Sequence, residues 1–167
     1  MKKIPLTQGQ FALVDDWNYD WLMQWKWCAK KDYNTFYAFR GSYNPKTKKQ
    51  TPVYMHEVIM KTPKGMLTDH KDHNGCNNQE YNLRICTDQQ NAMNRQKEKG
   101  CSSPFKGIGW HKRARKWVAR IVINKKQVHL GCFDSEVEAA QAYNKAAKEI
   151  HGEFAKPNLI KNKALML

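Results

Sequence analysis

The stretch 68-TDHKDHNGCNNQEYNLRICTDQQNAMNR-95 decides how this chain is read. It packs two Asp-His pairs, Asp69-His70 and Asp72-His73, into five positions, and Asn74, Asn77 and Asn78 follow. The second half changes character. Leu83-Arg84-Ile85-Cys86 alternates as a strand does, and Thr87 with Gln90 three residues on forms a capping-box signature for a helix. The predicted order is strand end, polar loop, short strand, capped helix. Asn91 then falls in the first turn or so of that helix, where its side chain can face back toward the loop.

Those parts permit a definite chemistry. A loop carboxylate and a helix amide oxygen are hard donors suited to Mg²⁺ or Mn²⁺. An adjacent imidazole, with a pKa near neutrality, can take a proton from water. One divalent ion stabilises charge on a phosphoryl oxygen and on a leaving alkoxide, which is enough for phosphodiester hydrolysis. The competing reading is an Asx-rich turn whose side chains bond their own backbone, and Asn74-Gly75 is a turn dipeptide. The composition of the stretch leaves both readings open.

Charge narrows the partner. Among 167 residues, 29 are Lys or Arg and 15 are Asp or Glu, a net charge of +14 and a pI near 9.6. Residues 105–167 carry +8 of that excess, and residues 105–133 hold eight Lys or Arg and no acid. Such a balance predicts attraction to a polyanion through phosphate contacts and counterion release, with the nucleic-acid face in that segment. Hydrophobic residues at 41%, with six Trp, seven Tyr and six Phe, are enough for a core and argue against global disorder. The five cysteines are scattered with no C-x-x-C pair, which predicts reduced thiols rather than a zinc ribbon or a disulfide framework. MKKIPLTQGQ has no apolar run after its lysines, so a signal peptide is not expected, nor is a membrane span. The expected location is cytoplasmic.

The chain is expected to divide into two modules. Residues 1–95 form an N-terminal region in which FALVDD (11–16), WKWCAK (25–30), FYAFRG (36–41) and VYMHEVIM (53–60) read as strands. DDWNYDWLMQW supplies a helical turn, and YNPKTKKQTP a polar hairpin loop. Residues 96–104 read as a linker. In 105–158, three strands are predicted near 106–111, 116–123 and 127–132, with a turn at Asn124-Lys125-Lys126. A helix follows, capped by Asp134 or Ser135 and stopped by Gly152. Its Ala139, Ala142, Tyr143, Ala146, Ala147 and Ile150 form one stripe that can lie close on a sheet. Trp117, Ala119, Ile121 and Ile123 share the strand face that should meet it. The opposite face carries Arg120 and His129, beside the turn Lys112-Arg113-Ala114-Arg115-Lys116. A twisted sheet of this width can enter a DNA major groove. Residues 159–167 are a tail.

Asp69-His70, Asn82-Leu83-Arg84 twelve residues after the histidine, and Asn91 nine further on together resemble the HNH nuclease family. More narrowly they resemble the freestanding phage and intron-encoded homing endonucleases, in which asparagine replaces the last histidine. The lead-in VYMHEVIMKTPKGMLTDH, with its Pro63-Lys64-Gly65 turn, is similar too, so the likeness covers about 53–95. It distinguishes the pairs: counted back from Asn82, the family histidine falls on His70, and His73 is three residues too close. It implies His70 as general base, Asp69 and Asn91 as ligands of one divalent ion (Mg²⁺ or Mn²⁺), and Asn82 as a supporting loop residue within the catalytic set. Asp72 and His73 are left as loop residues. Glu57 departs from the basic residue that often follows the histidine at this place in the family.

Residues 105–158 resemble the plant APETALA and ethylene-response-factor DNA-binding domain through KGI (106–108), KWVARI (116–121), HLGCFDSEVEAAQAYNKAA (129–147), Gly152 and Asn158. That likeness implies DNA contacts at or near Lys106, Arg120, Gln127 and His129, with Trp110, Lys112, Arg113 and Arg115 in a first hairpin that is longer here. Family arginines and a tryptophan are replaced by Gly109, Val122 and His129, so the plant sequence preference does not transfer. The whole is expected to be an α+β chain. A mixed region ends in a ββα-metal site, and a three-stranded antiparallel sheet packed on one helix follows. The expected function is a metal-dependent DNA endonuclease of the phage homing type acting on double-stranded DNA, in the host cytoplasm if phage-encoded. No protein partner is evident, and a monomer or weak dimer is expected. The alternatives are a DNA-binding regulator with an inactive nuclease site, and an RNA-binding module.

Overall fold

The computed structural model describes residues 1–32, 34–94, 100 and 102–160. Of the expected linker, residues 96–99 and 101 lie outside the described residues, as do 161–167 of the expected tail. The described chain is α+β, with ten strands in four small antiparallel sheets and four α-helices. It forms two compact units, Met1–Asp88 and residue 89 onward.

The first unit opens with a hairpin of β1 (Lys2–Pro5) and β2 (Phe11–Val14), which pair from Lys2↔Val14 to Pro5↔Phe11. Strand β1 was not expected from sequence, because KKIP offers only Ile4 as an apolar signal. Ile4 is nonetheless fully buried, so one side chain anchors the strand. Helix α1 (Asp16–Leu22) follows, then the meander β3 (Cys28–Asp32), β4 (Thr35–Asn44) and β5 (Lys49–Tyr54). The expected ten-residue loop between β4 and β5 is mostly strand, paired as far as Asn44↔Lys49.

Helix α2 (Met55–Met60) corrects one expectation: VYMHEVIM is strand only at Val53 and Tyr54 and helix for its other six residues, not a strand throughout. The physical reason is spacing. Met55, Val58 and Ile59, three and four residues apart, turn to one core. Lys61 then ends the helix in the left-handed conformation, at φ 48°, and Pro63 prevents continuation. That core gathers Ile4, Ala12, Val14, Leu22, Trp27, Ala38 and Met55. Trp21, Trp25 and Trp27 meet edge to face around it, and the Arg40 guanidinium lies 4.7 Å from the Trp25 ring centre. The unit ends with β6 (Leu67–His70) and β7 (Leu83–Cys86), an antiparallel pair, after which α3 (Asp88–Asn94) begins.

In the second unit β8 (Ile108–His111), β9 (Lys116–Ile123) and β10 (Lys126–Phe133) form a sheet in the order β10-β9-β8. Asn124 and Lys125 both take positive φ (50° and 63°), the two-residue turn that matches strand twist. Helix α4 (Glu136–His151) starts at Ser135, whose Oγ accepts from the Val137 N–H, and Gly152 follows its last residue at φ 53°. Ile108, Ala119 and Ile121 of the sheet and Ala139, Ala140, Tyr143 and Ala147 of the helix make one buried cluster.

Candidate active site

The β6–β7 register sets Asp69 opposite Arg84 and His70 opposite Leu83. Successive strand residues point to opposite faces, so Asp69 and His70 leave the hairpin in different directions. On one side, Arg84 Nη2 and Nε donate to Asp69 Oδ2 at 2.7 and 2.9 Å. Both side chains are about nine-tenths buried, so this is an interior ion pair rather than a surface one.

On the other side, His70 (4% exposed) sits in a box of rings that the sequence scatters widely. The His56 ring of α2 meets it edge-on at 4.9 Å between centres, and Tyr37 of β4 at 5.7 Å. Tyr54 stacks on His56 at 5.5 Å. Burial lowers the His70 pKa, partly offset by its hydrogen bond to Asn78 and by Asp72 and Asp69. Burial, aided by His70, pushes His56 down to about 3, and burial raises the Tyr37 hydroxyl. His70 is therefore a neutral base at neutral pH. Asn78 Oδ1 lies 3.3 Å from His70 Nε2. With Asn78 as acceptor, the ring carries its proton on Nε2 and keeps its lone pair on Nδ1.

The loop between the strands explains why Asn78 reaches that place. Leu13 of β2 brackets it, donating to the Cys76 carbonyl at 2.8 Å and accepting from the Asn78 N–H at 2.8 Å. Gly75 donates to Thr35 Oγ1, and Cys76 Sγ to the Phe36 carbonyl. A Cβ on Gly75 would stand 2.5 Å from the Phe36 carbonyl oxygen and 2.6 Å from the Tyr37 ring, so only glycine lets the loop lie this close.

Asp72 and His73 are loop residues. Asp72 Oδ1 accepts from the Asn74 N–H and from Asn82 Nδ2, and its Oδ2 from Asn77 Nδ2. Burial would raise the Asp72 pKa, but these bonds outweigh it and hold the carboxyl below the usual range. The stretch thus holds an Asx-bonded turn at 72–78, with an Asp-His pair on the strand before it. Of the residues around His70, sequence reasoning missed Tyr37, Tyr54, His56 and Asn78. Tyr54 and His56 lay within the quoted lead-in, yet nothing in one sequence brings rings from β4 and α2 onto a histidine of β6.

Asn91 lies on α3, half-buried, as the capping signature predicted. All of α3 but its first residue falls in the second compact unit, whereas Asp69, His70 and Asn82 fall in the first. No group of three or more His, Cys, Asp or Glu gathers as a metal centre among the described residues. A donor set of one carboxylate and one amide oxygen is nevertheless the hard, ligand-poor kind that Mg²⁺ accepts, with phosphate and water completing its shell. Arg84 holds the Asp69 side chain in place, and its carboxylate is a donor that fits such an ion in kind.

In the second unit Arg120 pairs directly with His129, and Val122 with Gln127, all four exposed. Lys112, Arg113 and Arg115 are exposed in the β8–β9 turn beside them. Trp110 is placed differently. Its ring meets Trp117 at 5.1 Å, and Trp117 packs on the helix side of the sheet, away from Arg120. The Lys106 ammonium donates to the Met93 carbonyl at 2.6 Å.

The chain is 34% identical over 155 residues to an uncharacterized HNH endonuclease of Acanthamoeba polyphaga mimivirus, covering 92% of this chain and 77% of the relative. It is 32% identical over 94 residues to Protein 3.8 of Escherichia phage T7, covering 56% of this chain and 77% of that protein. A 59-residue part, 34% of the chain, is 48% identical to APETALA2-like protein 2 of Oryza sativa subsp. indica and spans 13% of it. No family model matches. No helix among the described residues is long and apolar enough to cross a membrane.

Proposed function

This chain belongs to the HNH endonuclease family, and from that premise we propose that it is a divalent-metal-dependent DNA endonuclease of the homing type, brought to double-stranded DNA by its second module. The observation that carries the reading is the pairing, on one strand, of a buried neutral imidazole with a buried carboxylate: His70 against Asn78, Asp69 against Arg84.

The steps assigned to the chain's own residues are few. His70 Nδ1 accepts a proton from a water molecule, and that water's oxygen forms a bond to phosphorus while the bond to the leaving deoxyribose oxygen breaks, that oxygen taking a proton from solvent. Asn78 fixes the ring and its tautomer, and the rings of Tyr37 and His56 keep it from rotating away and exclude bulk water. Asp69 and Asn91 are the protein oxygens that would hold Mg²⁺ or Mn²⁺, and Arg84 holds Asp69 in its rotamer. A divalent ion bound there supplies stabilisation of the charge that builds on the phosphoryl and leaving oxygens. Asn82 keeps the loop closed and touches no reacting atom. In the second module, described as a three-stranded antiparallel sheet packed on one helix, Arg120, Gln127 and His129 present the base- and phosphate-reading face. Lys112, Arg113 and Arg115 add phosphate contacts beside it.

The test is nicking of supercoiled plasmid with Mg²⁺ or Mn²⁺ by the parent and by His70→Ala. A loss of at least about a hundredfold, the usual scale for a general base, is expected. Undiminished nicking by His70→Ala sinks the proposal.

A further inference from the structure

Two side chains of the second unit hold helix α3. In its first turn Gln89 Nε2 donates to Asn124 Oδ1, in the β9–β10 turn, at 2.9 Å. Further along the helix, the Met93 carbonyl accepts from Lys106 Nζ at 2.6 Å. Asn94, next to Met93, is 4% exposed.

Lys106 is itself held. Its N–H donates to Asn158 Oδ1 at 2.6 Å, and its carbonyl accepts from Asn158 Nδ2 at 3.1 Å. Asn158 is bonded in turn to Asn144 of α4 in both directions, through its N–H at 2.6 Å and its carbonyl at 2.9 Å. A continuous run of hydrogen bonds therefore connects α4, Asn158, Lys106 and Met93 of α3. Asn91 lies two residues before the anchored carbonyl.

We propose that Lys106 is a positioning residue of the nuclease, its ammonium fixing α3 so that the frame of the DNA-binding module sets where Asn91 stands. For its catalytic consequence this rests on the reading of Asn91 as a metal ligand; the anchoring of α3 does not. It also reassigns a residue that, by resemblance, is expected to contact DNA.

The test compares full-length parent, Lys106→Gln, Lys106→Arg and Asn91→Ala. Amide exchange is first measured without metal or DNA. Lys106→Gln should speed exchange of the α3 amides by about tenfold, leave those of β9 unchanged, and be rescued by Lys106→Arg, which can still donate to a carbonyl. Unchanged α3 exchange overturns the proposal. Lys106→Gln should also raise the Mn²⁺ concentration for half-maximal nicking by about tenfold while the plateau rate recovers; a lower plateau at an unmoved midpoint, as fewer folded molecules would give, overturns it. DNA binding in chelator should keep its salt slope. A slope shallower by about 0.9 marks a phosphate contact and counts against the proposal. Failure of the underlying reading shows separately, as an Asn91→Ala protein whose Mn²⁺ midpoint equals the parent's.

Discussion

Asn82 and Asp72 hold each other in both directions. The Asn82 amide donates to Asp72 Oδ1 at 2.9 Å, and its carbonyl oxygen accepts from the Asp72 N–H at 3.1 Å. A third bond, from the same amide to the Asn77 carbonyl at 2.8 Å, ties in the far side of the loop. The middle asparagine of the motif therefore works on the loop's shape, and the loop's shape carries Asn78 to His70.

Replacing Asn82, which is 2% exposed, by Ala removes all three bonds, among them the one to the Asn77 carbonyl. The expected cost is about 2–4 kcal/mol, the range for breaking a buried polar network. Urea unfolding at pH 7 reads it directly. Asn82→Asp should be worse than Asn82→Ala, because it sets a second carboxylate against Asp72.

His73 should be dispensable for chemistry. It occupies a left-handed position, φ 64°, so the fair substitution is His73→Asn, which tolerates that backbone. Nicking by His73→Asn should stay within about threefold of the parent, since no proton-transfer step of the usual hundredfold size passes through this ring. A drop as large as that of His70→Ala would exchange the roles of the two Asp-His pairs.

His56 predicts how stability depends on acid. Its ordinary value is 6.5 and burial holds it near 3 in the folded chain. The unfolded chain takes up a proton below about pH 6.5 that the folded one refuses. Stability from this group is therefore full above pH 6.5 and is lost as pH falls toward 3. Between pH 7 and pH 5 the loss should be about 2 kcal/mol. His70 and Asp72 add losses of the same sign, so the quantity to measure is the difference in urea midpoints between the parent and His56→Phe at both pH values. The Phe variant should show the shallower decline.

Arg120 and Trp110 should separate binding from folding. Arg120→Ala removes an exposed cation from the sheet face, so DNA affinity should fall and the salt slope flatten by about 0.9. Trp110→Ala should leave the slope alone and lower the melting temperature, because its ring is spent on Trp117. Binding titrations at three salt concentrations, with thermal melts, distinguish the two.

Much of this was legible in advance, for identifiable reasons. Ser135, the Asn124-Lys125 turn and Gly152 are local signals, readable wherever the backbone has few options, and β9 matches its predicted span of 116–123 residue for residue. The motif spacing sets His70 apart from His73, and the structure places the first on β6 and the second in the loop after it. Two kinds of feature stayed hidden. One was short elements ruled by tertiary burial, such as β1, held through Ile4, and α2, whose β-rich composition yields to the packing of Met55, Val58 and Ile59. The other was the surroundings of His70. Tyr37 and His56 lie 33 and 14 residues upstream of it, and only the closing of the β6–β7 loop onto β2 and β4 assembles them.

The close approach at Gly75 offers a handle of a different sort. A single methyl group there must push the Tyr37 ring or the Phe36 carbonyl aside, on the wall against which His70 rests. Gly75→Ala would thus silence cutting without deleting any polar atom or altering the chain's charge, and would leave the basic sheet intact. The result would be a molecule that still finds its target and marks it unbroken, a reagent for recovering the recognition sequence from a genome.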